Sequence, residues 1–383
     1  MKTARQENNM ETGLQIRSLV NKSGVLEVSL ASVPTPEPGP DEIVIRVEAT
    51  PINPSDIALL LGPVDMETAK QSGTAASPVL TAKILERAMP MMGARFDQSM
   101  PCGNEGAGTV VKAGSSPAAQ ALMGKLVAVA SGSMYSQFKI AKAVEVLPLP
   151  SGTSAKQAAS CFVNPLTALS MVEVMRREGH KALVHTAAAS NLGQMLNKIC
   201  LKDGVSLISI VRNAEQASIL KKDGAKIVLD SSSPRFMPEL IEAVSATEAT
   251  LAFDAIGGGM TASHILTAME AAAAARLTAY SRYGSSTFKQ VYIYGMLDTS
   301  KTELTRSYGL SWSVSGWLLT PFLQKIGMAD VNRLRQRVVS ELTTTFASHY
   351  TKEISLRDVA TVEVARAYNR RATGEKFLIV PTL

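Results

Sequence analysis

Cysteine and histidine are scarce in this chain of 383 residues, which holds three of the first (Cys102, Cys161, Cys200) and four of the second (His180, His185, His264, His349). The cysteines are odd in number, widely spaced and never paired as CxxC. That excludes a disulfide framework or a thiolate zinc knuckle and leaves reduced thiols in a cytoplasmic protein as the expectation. Aromatics are only 5%, and the net charge of +6 comes from basic residues spread along the chain rather than gathered in a stripe. Nucleic acid is therefore not an expected partner, whereas a small anionic ligand is. The N-terminal stretch to Gly13 is polar and lacks an apolar signal core. The most apolar stretch near the C-terminus, Leu310–Leu323, is broken by serines, a glycine and a proline, short of the ~18–20 residues of a membrane span. No membrane association is expected.

With 46% apolar and 19% charged residues the chain reads as globular. At roughly 150 residues per domain, its length predicts two domains. The alternation in Glu42–Val47, with short apolar runs at Ala107–Val111 and Lys125–Ala130 punctuated by glycine and proline, predicts an irregular β-rich domain over about Leu14–Pro150. Ser154 and Gln157 form a capping box that starts a helix. From Lys181 onward, apolar strands (Ala182–His185, Val205–Val211, Lys226–Leu229, Leu251–Asp254, Val291–Tyr294) alternate with helical patterns. This predicts an α/β fold with a doubly wound parallel sheet. Leu192, Met195, Leu196, Ile199 and Cys200 share one helix face, which makes Cys200 a core residue. Two stretches exceed what a scaffold needs, Pro63–Met100 and Ala271–Lys289, and read as lids, partner surfaces or small added helices. Met89, Met91 and Met92 would give the first an adaptable apolar patch. Arg333, Arg335 and Arg337 read as a solvated helix face.

The strongest chemical signal is the turn Thr186–Gly193 between the first of these strands and its helix. Ala188, Ser190, Asn191, Leu192 and Gly193 form a degraded G-x-G-x-x-G, small enough for backbone amides to approach a pyrophosphate at the helix N-terminus. The competing reading is an ordinary tight turn. Arg212 ends the next strand, where an acidic residue would hold a ribose 2′-hydroxyl. An arginine there would accept a 2′-phosphate instead, implying NADPH, unless it is simply a solvated side chain. His185 is either a general base or a packed, hydrogen-bonded strand residue.

Three runs then carry a resemblance: Pro51-Ile52-Asn53-Pro54-Ser55-Asp56, Pro101-Cys102-Gly103-Asn104-Glu105-Gly106-Ala107-Gly108 and Val163-Asn164-Pro165-Leu166-Thr167-Ala168. Together with Phe253–Gly258 and Gly374–Pro381, they resemble the medium-chain dehydrogenase/reductase superfamily, in its branch of zinc-free quinone oxidoreductases and enoyl thioester reductases. The resemblance implies a GroES-like catalytic domain over residues 1–160, a Rossmann NADPH-binding domain over 161–320, and a return over 321–383 that completes the first domain. It also implies that Asn53, Asn104 and Val163 stand where metal-dependent members keep zinc ligands, so no metal is expected. Glu105 then reads as a structural carboxylate bonded to backbone or arginine.

By the same resemblance, Asn53 and Asp56 border the nicotinamide side of the cleft, and Asn164 and Thr167 either touch the cofactor or cap their helix. Ile256, Gly257, Tyr294 and Gly295 end strands that meet the cofactor. The reaction implied is NADPH-dependent hydride addition to a quinone or activated C=C acceptor, in a cytoplasmic homodimer; a 2-enoyl thioester reductase and a non-catalytic NADPH-binding protein are the alternatives. The tyrosine that donates a proton in the enoyl reductases is missing from Gly62-Pro63-Val64-Asp65, so Tyr135 is the first replacement candidate, against a plain strand tyrosine. Trp317 either lines the acceptor pocket or is core.

Overall fold

The computed structural model describes residues 12–383 and divides into two compact units, one running to Val163 and resuming at Ala347–Leu383, the other spanning Asn164–Phe346.

The first unit is β-rich. Its strand Glu42–Pro51 pairs antiparallel with Glu105–Ala113, with Phe138–Lys142 and, near its end, with the tail strand Phe377–Ile379 through Leu378↔Pro51 and Ile379↔Thr50. The alternation of Ile43, Ile45 and Val47 places these side chains in one core cluster with Val110, Val127 and Val129. A second sheet orders Val64–Gly73, Pro78–Ile84, Val25–Pro34, Thr12–Val20 and Met100–Pro101. The long stretch Pro63–Met100 thus opens with a hairpin of the strands Val64–Gly73 and Pro78–Ile84. Its hairpin adds two strands to this edge through Val25↔Lys83, and two short 3-10 turns follow, Glu86–Met91 and Gly93–Arg95. Of the methionine patch, Met89 and Met92 pack on the core while Met91 is exposed.

The second unit holds six parallel strands in the order Ile227–Asp230, Ser206–Val211, Ala182–His185, Leu251–Asp254, Lys289–Ile293 and Trp312–Gly316. Every neighbouring pair is parallel. The order runs outward in both directions from Ala182–His185 and Leu251–Asp254, a doubly wound arrangement with its topological switch between those two strands. Ala182, Val184, Ile208, Ala252 and Val291 form one core cluster with Leu240, Ile265 and Leu266 of the helices Phe236–Thr247 and Thr261–Ala274. The helix Asn191–Asp203 starts at Ser190, whose hydroxyl accepts from the Gly193 amide, and stops at Gly204 in the left-handed region (φ 67°). Cys200 is buried on its inner face.

Three expectations are corrected. The edge strand Trp312–Gly316 was not anticipated. The stretch Ala271–Lys289 begins as the last turn of the helix Thr261–Ala274, runs exposed outside any helix or strand over residues 275–283, and is pinned at its far end by Lys289, wholly buried, with Nζ 2.6 Å from Glu270 Oε2. The arginines of helix Met328–Ser340 are not simply solvated, because Arg333 meets Glu173 and Asp330 while Arg337 meets Asp203 in a two-pronged contact at 2.7 and 2.8 Å. These pairs fasten that helix to Val163–Arg177 and Asn191–Asp203, so the second unit extends to Phe346 rather than ending near residue 320. One helical stretch, Ala155–Arg177, is long and apolar enough by composition to cross a membrane, but 89% of its most apolar window is buried inside the protein.

Candidate functional site

In the second unit, strand Ala182–His185 enters its turn through Thr186 and Ala187, and Ala187 takes a left-handed conformation (φ 49°). Ala188 and Ala189 are buried, with the Ala188 amide bonded to Ile210 O. A Cβ on Gly193 would lie 2.2 Å from Ala188 O, so the helix sits against the turn at a distance only glycine allows. This is the close approach that the last glycine of a dinucleotide turn provides, and it aims the positive end of a helix of thirteen residues outward. Arg212 lies exposed at the carboxyl end of the neighbouring strand, its amide held by Gln216 Oε1, and Asn213 caps the following helix.

Ile256 and Gly257 are organised differently from the expectation of amides open to a ligand. Both donate to the buried Asp254 carboxylate, at 2.9 and 3.1 Å, which also accepts from Thr186 Oγ1 at 2.7 Å. Gly257 and Gly295 lie back to back: a Cβ on either would come within 2.8 Å of the other segment's backbone. Tyr294 projects its hydroxyl to His185 Nε2 at 2.7 Å. His185 is therefore the packed, hydrogen-bonded residue of the two readings. Trp317 is mostly buried, edge-on to Phe253 at 5.4 Å. Asn164 and Thr167 are buried in the opening turns of helix Val163–Arg177.

The first unit carries a separate buried cluster. Asp56 accepts from the amides of Asn53 and Asn104, both at 2.8 Å, and its burial raises its pKa to about 7. Glu105 accepts from Asn53 Nδ2 at 2.7 Å and from the amides of Phe162 and Val163 at 2.9 Å. Burial also pushes Glu105 upward, opposed chiefly by Lys376, whose own pKa burial lowers to about 8. Lys376 Nζ donates to Ser160 Oγ at 2.8 Å beneath the Tyr350 ring. Glu105 is thus the backbone-bonded structural carboxylate that its sequence context suggests.

Tyr135 does not sit as an open proton donor. It is wholly buried, and its hydroxyl donates to Pro51 O at 3.0 Å beside Asp56, a position that braces the Asn53–Asp56 loop. The structure therefore joins Asn53, Asp56 and Tyr135 in one cluster. In the second unit it gathers Ala188–Gly193, Ile256, Gly257, Tyr294 and Gly295 at the carboxyl ends of adjacent strands. Lys376 and the His185–Tyr294 bond were missed. The motif Gly374-Glu375-Lys376 marks the first, whereas nothing local marks the second.

No family model matches the chain. A Mesorhizobium loti protein assigned as an NADPH:quinone reductase superposes with a TM-score of 0.73 at 25% identity, covering 97% of this chain and 98% of that one. The chain has the fold of the medium-chain dehydrogenase/reductases. Escherichia coli quinone oxidoreductase, solved with NADPH, shares that fold with a TM-score of 0.69 at 18% identity over 96% of this chain and 100% of that one. Among curated sequences, the mitochondrial enoyl-[acyl-carrier-protein] reductase of Caenorhabditis elegans is 26% identical over 207 residues, 54% of this chain and 51% of the relative. The chain spans about half the length of the curated relatives it matches. The resemblance is to the quinone oxidoreductase and enoyl thioester reductase branch of these dehydrogenase/reductases.

Proposed function

We propose that this protein is an NADPH-dependent oxidoreductase that reduces a quinone or another activated C=C acceptor. The observation that carries the reading is the turn at Gly193: a close approach closed to any side chain, at the head of a capped helix, with Arg212 exposed at the end of the next strand. Those residues fit a pyrophosphate and a 2′-phosphate. Ala188, Ser190, Asn191, Leu192 and Gly193 would hold the first and Arg212 the second, with Asn164, Thr167, Ile256, Gly257, Tyr294 and Gly295 bordering the rest of the cofactor. Bound NADPH supplies a hydride.

What the chain contributes is binding, orientation and hydrogen-bond donors for the negative charge that forms on the acceptor oxygen. Asn53 and Asp56 form the loop assigned to the acceptor side. Zinc independence belongs to this reading as well. At Asn53 and Asn104 the chain presents amide donors already bonded to Glu105, Asp56 and Ser55, and among the described residues no three His, Cys, Asp or Glu side chains converge on a metal position. We also assign the protein to the cytoplasm as a homodimer acting on a small molecule, without nucleic acid or membrane as a partner. The domain roles follow the same scheme: a catalytic unit closed by the C-terminal tail, and a nucleotide-binding unit.

A second reading, a 2-enoyl thioester reductase, is favoured by the match to the nematode enoyl reductase. A third, a non-catalytic NADPH-binding protein, is favoured by the burial of Tyr135. Titrating the zinc-analysed protein with NADPH, then adding 1,4-benzoquinone, an enone and a crotonyl thioester in turn, separates the three. Turnover of quinone or enone is expected; preference for the thioester selects the second reading, and tight binding without turnover selects the third. One zinc per chain would overturn the metal-free reading.

A further inference from the structure

His185 and Tyr294 come from strands on either side of Leu251–Asp254, at the carboxyl ends where an open parallel sheet leaves its ligand crevice. Their rings stack at 5.8 Å with 19° between planes, and His185 Nε2 lies 2.7 Å from the Tyr294 hydroxyl. Phe253 meets Tyr294 edge-on at 6.4 Å and Trp317 at 5.4 Å, so the pair rests on an apolar wall. His185 is wholly buried and its Nδ1 has no hydrogen-bond partner among the described residues. Burial pushes its pKa down to about 3, so the ring is neutral and carries a single N–H.

A proton on Nδ1 would be a buried donor without an acceptor, the rarest kind of unsatisfied group. A proton on Nε2 donates to the Tyr294 oxygen instead. The Tyr294 hydroxyl proton must then point away from the histidine, and that hydroxyl has no other hydrogen bond among the described residues. Asp254, the carboxylate that acts on Tyr294, is already engaged by Thr186, Ile256 and Gly257. Burial holds the tyrosine pKa above its usual value, which keeps the hydroxyl protonated, and the residue as a whole is intermediate in exposure rather than sealed in the core.

We propose that Tyr294, with its hydroxyl oriented by a neutral His185, donates a hydrogen bond to the carbonyl oxygen of the acceptor. The inference rests on the oxidoreductase reading and names a catalytic donor and its positioning residue for it. In the reaction, hydride adds to the conjugated carbon, the π pair moves to the oxygen, Tyr294 keeps its proton in the hydrogen bond to that oxygen, and water supplies the final proton. A neutral donor in apolar surroundings suits a charge that develops on the oxygen only as hydride is transferred.

The test uses 4-dimethylaminocinnamaldehyde, whose absorption moves to the red when its carbonyl accepts a hydrogen bond. The probe is added to the full chain with NADP⁺, so that no hydride is available. The wild type is expected to shift the band and Tyr294→Phe to abolish the shift. His185→Gln, whose amide N–H can replace Nε2, should retain part of it and His185→Leu should lose it. With an enone and saturating NADPH, Tyr294→Phe should lose about 100-fold in kcat. No shift in the wild type, or a Tyr294→Phe variant with both the shift and kcat intact, overturns the proposal while leaving the functional reading standing if NADPH still binds and turns over. A wild type that does not bind NADPH overturns both.

Discussion

Replacing Gly193 with alanine opposes two effects of known size. The position lies inside the helix Asn191–Asp203, where alanine is favoured over glycine by about 1 kcal/mol. The new Cβ, however, would lie 2.2 Å from Ala188 O, 2.6 Å from its carbonyl carbon and 2.8 Å from its Cα, where ordinary contact begins at 3.4 Å. The obstruction is a whole peptide unit, which cannot rotate away as a side chain would. Helix and turn must separate by about 1 Å, and forced repacking of this kind costs roughly 1–3 kcal/mol, with backbone partners at the upper end. The clash therefore wins, and a net loss of about 1–2 kcal/mol is expected. In a unit of this size that lowers Tm by about 2–4 °C per kcal/mol. Because the displaced amides are those assigned to the pyrophosphate, NADPH affinity should fall by at least about tenfold, the equivalent of one lost hydrogen bond. Urea unfolding followed by far-UV circular dichroism, paired with NADPH fluorescence titration, measures both. Gly316→Ala is the control, since its Cβ meets nothing within 4 Å, and it should change stability by no more than about 0.5 kcal/mol. A Gly193→Ala protein as stable as the wild type, with full NADPH affinity, would refute the close-approach argument.

Arg212→Ala should weaken NADPH about tenfold, consistent with loss of a charge-assisted hydrogen bond at an exposed position, and leave NADH almost unchanged; equal losses in parallel titrations would remove the 2′-phosphate assignment. The pH dependence of stability should carry the mark of Asp56, whose pKa rises from 3.8 to about 7 on burial. Between those values the native state holds a proton that the unfolded chain has released, so stability falls as pH rises, by about 1.4 kcal/mol per unit from this group. Asp56→Asn cannot titrate, and its stability measured by urea unfolding should show that much less downward slope across this window; parallel curves for the two proteins would contradict the buried-acid reading.

Those elements that announce themselves locally could be read from the chain. The turn Thr186–Gly193, the strands that precede and follow it and the Ser154 capping box depend on residues within a few positions of one another, and hydrophobic period and cap chemistry are local signals. The failures share an opposite property. Trp312–Gly316 alternates tryptophan and valine with serine, so it lacks the apolar run of a buried parallel strand, and only its place beside Lys289–Ile293 makes it one. Arg333 and Arg337 read as solvated because Glu173 and Asp203 lie more than a hundred positions away in sequence. Val64–Gly73 is a mainly polar edge strand, recognisable only through its partner Pro78–Ile84. The site divides the same way: Gly193 and Arg212 are marked by spacing, whereas the bond between His185 and Tyr294 spans 109 positions and leaves no local trace.

Two of the buried carboxylates, Asp254 and Glu105, explain how a chain so poor in cysteine and histidine builds ordered turns at its candidate sites. Each accepts from two successive backbone amides and one side chain: Asp254 from Ile256, Gly257 and Thr186, and Glu105 from Phe162, Val163 and Asn53. A carboxylate saturated in this way is held by donors and offers little to a cation, and Lys376 beside Glu105 adds a positive charge where a metal would have to compete. Placing a thiol at Asn53 would therefore not by itself build a metal site. It would remove the Nδ2 donor from Glu105 and leave a buried carboxylate short of a partner, a loss of about 1–3 kcal/mol or more. Amide donors and the neighbouring ammonium group thus hold the Glu105 carboxylate in place.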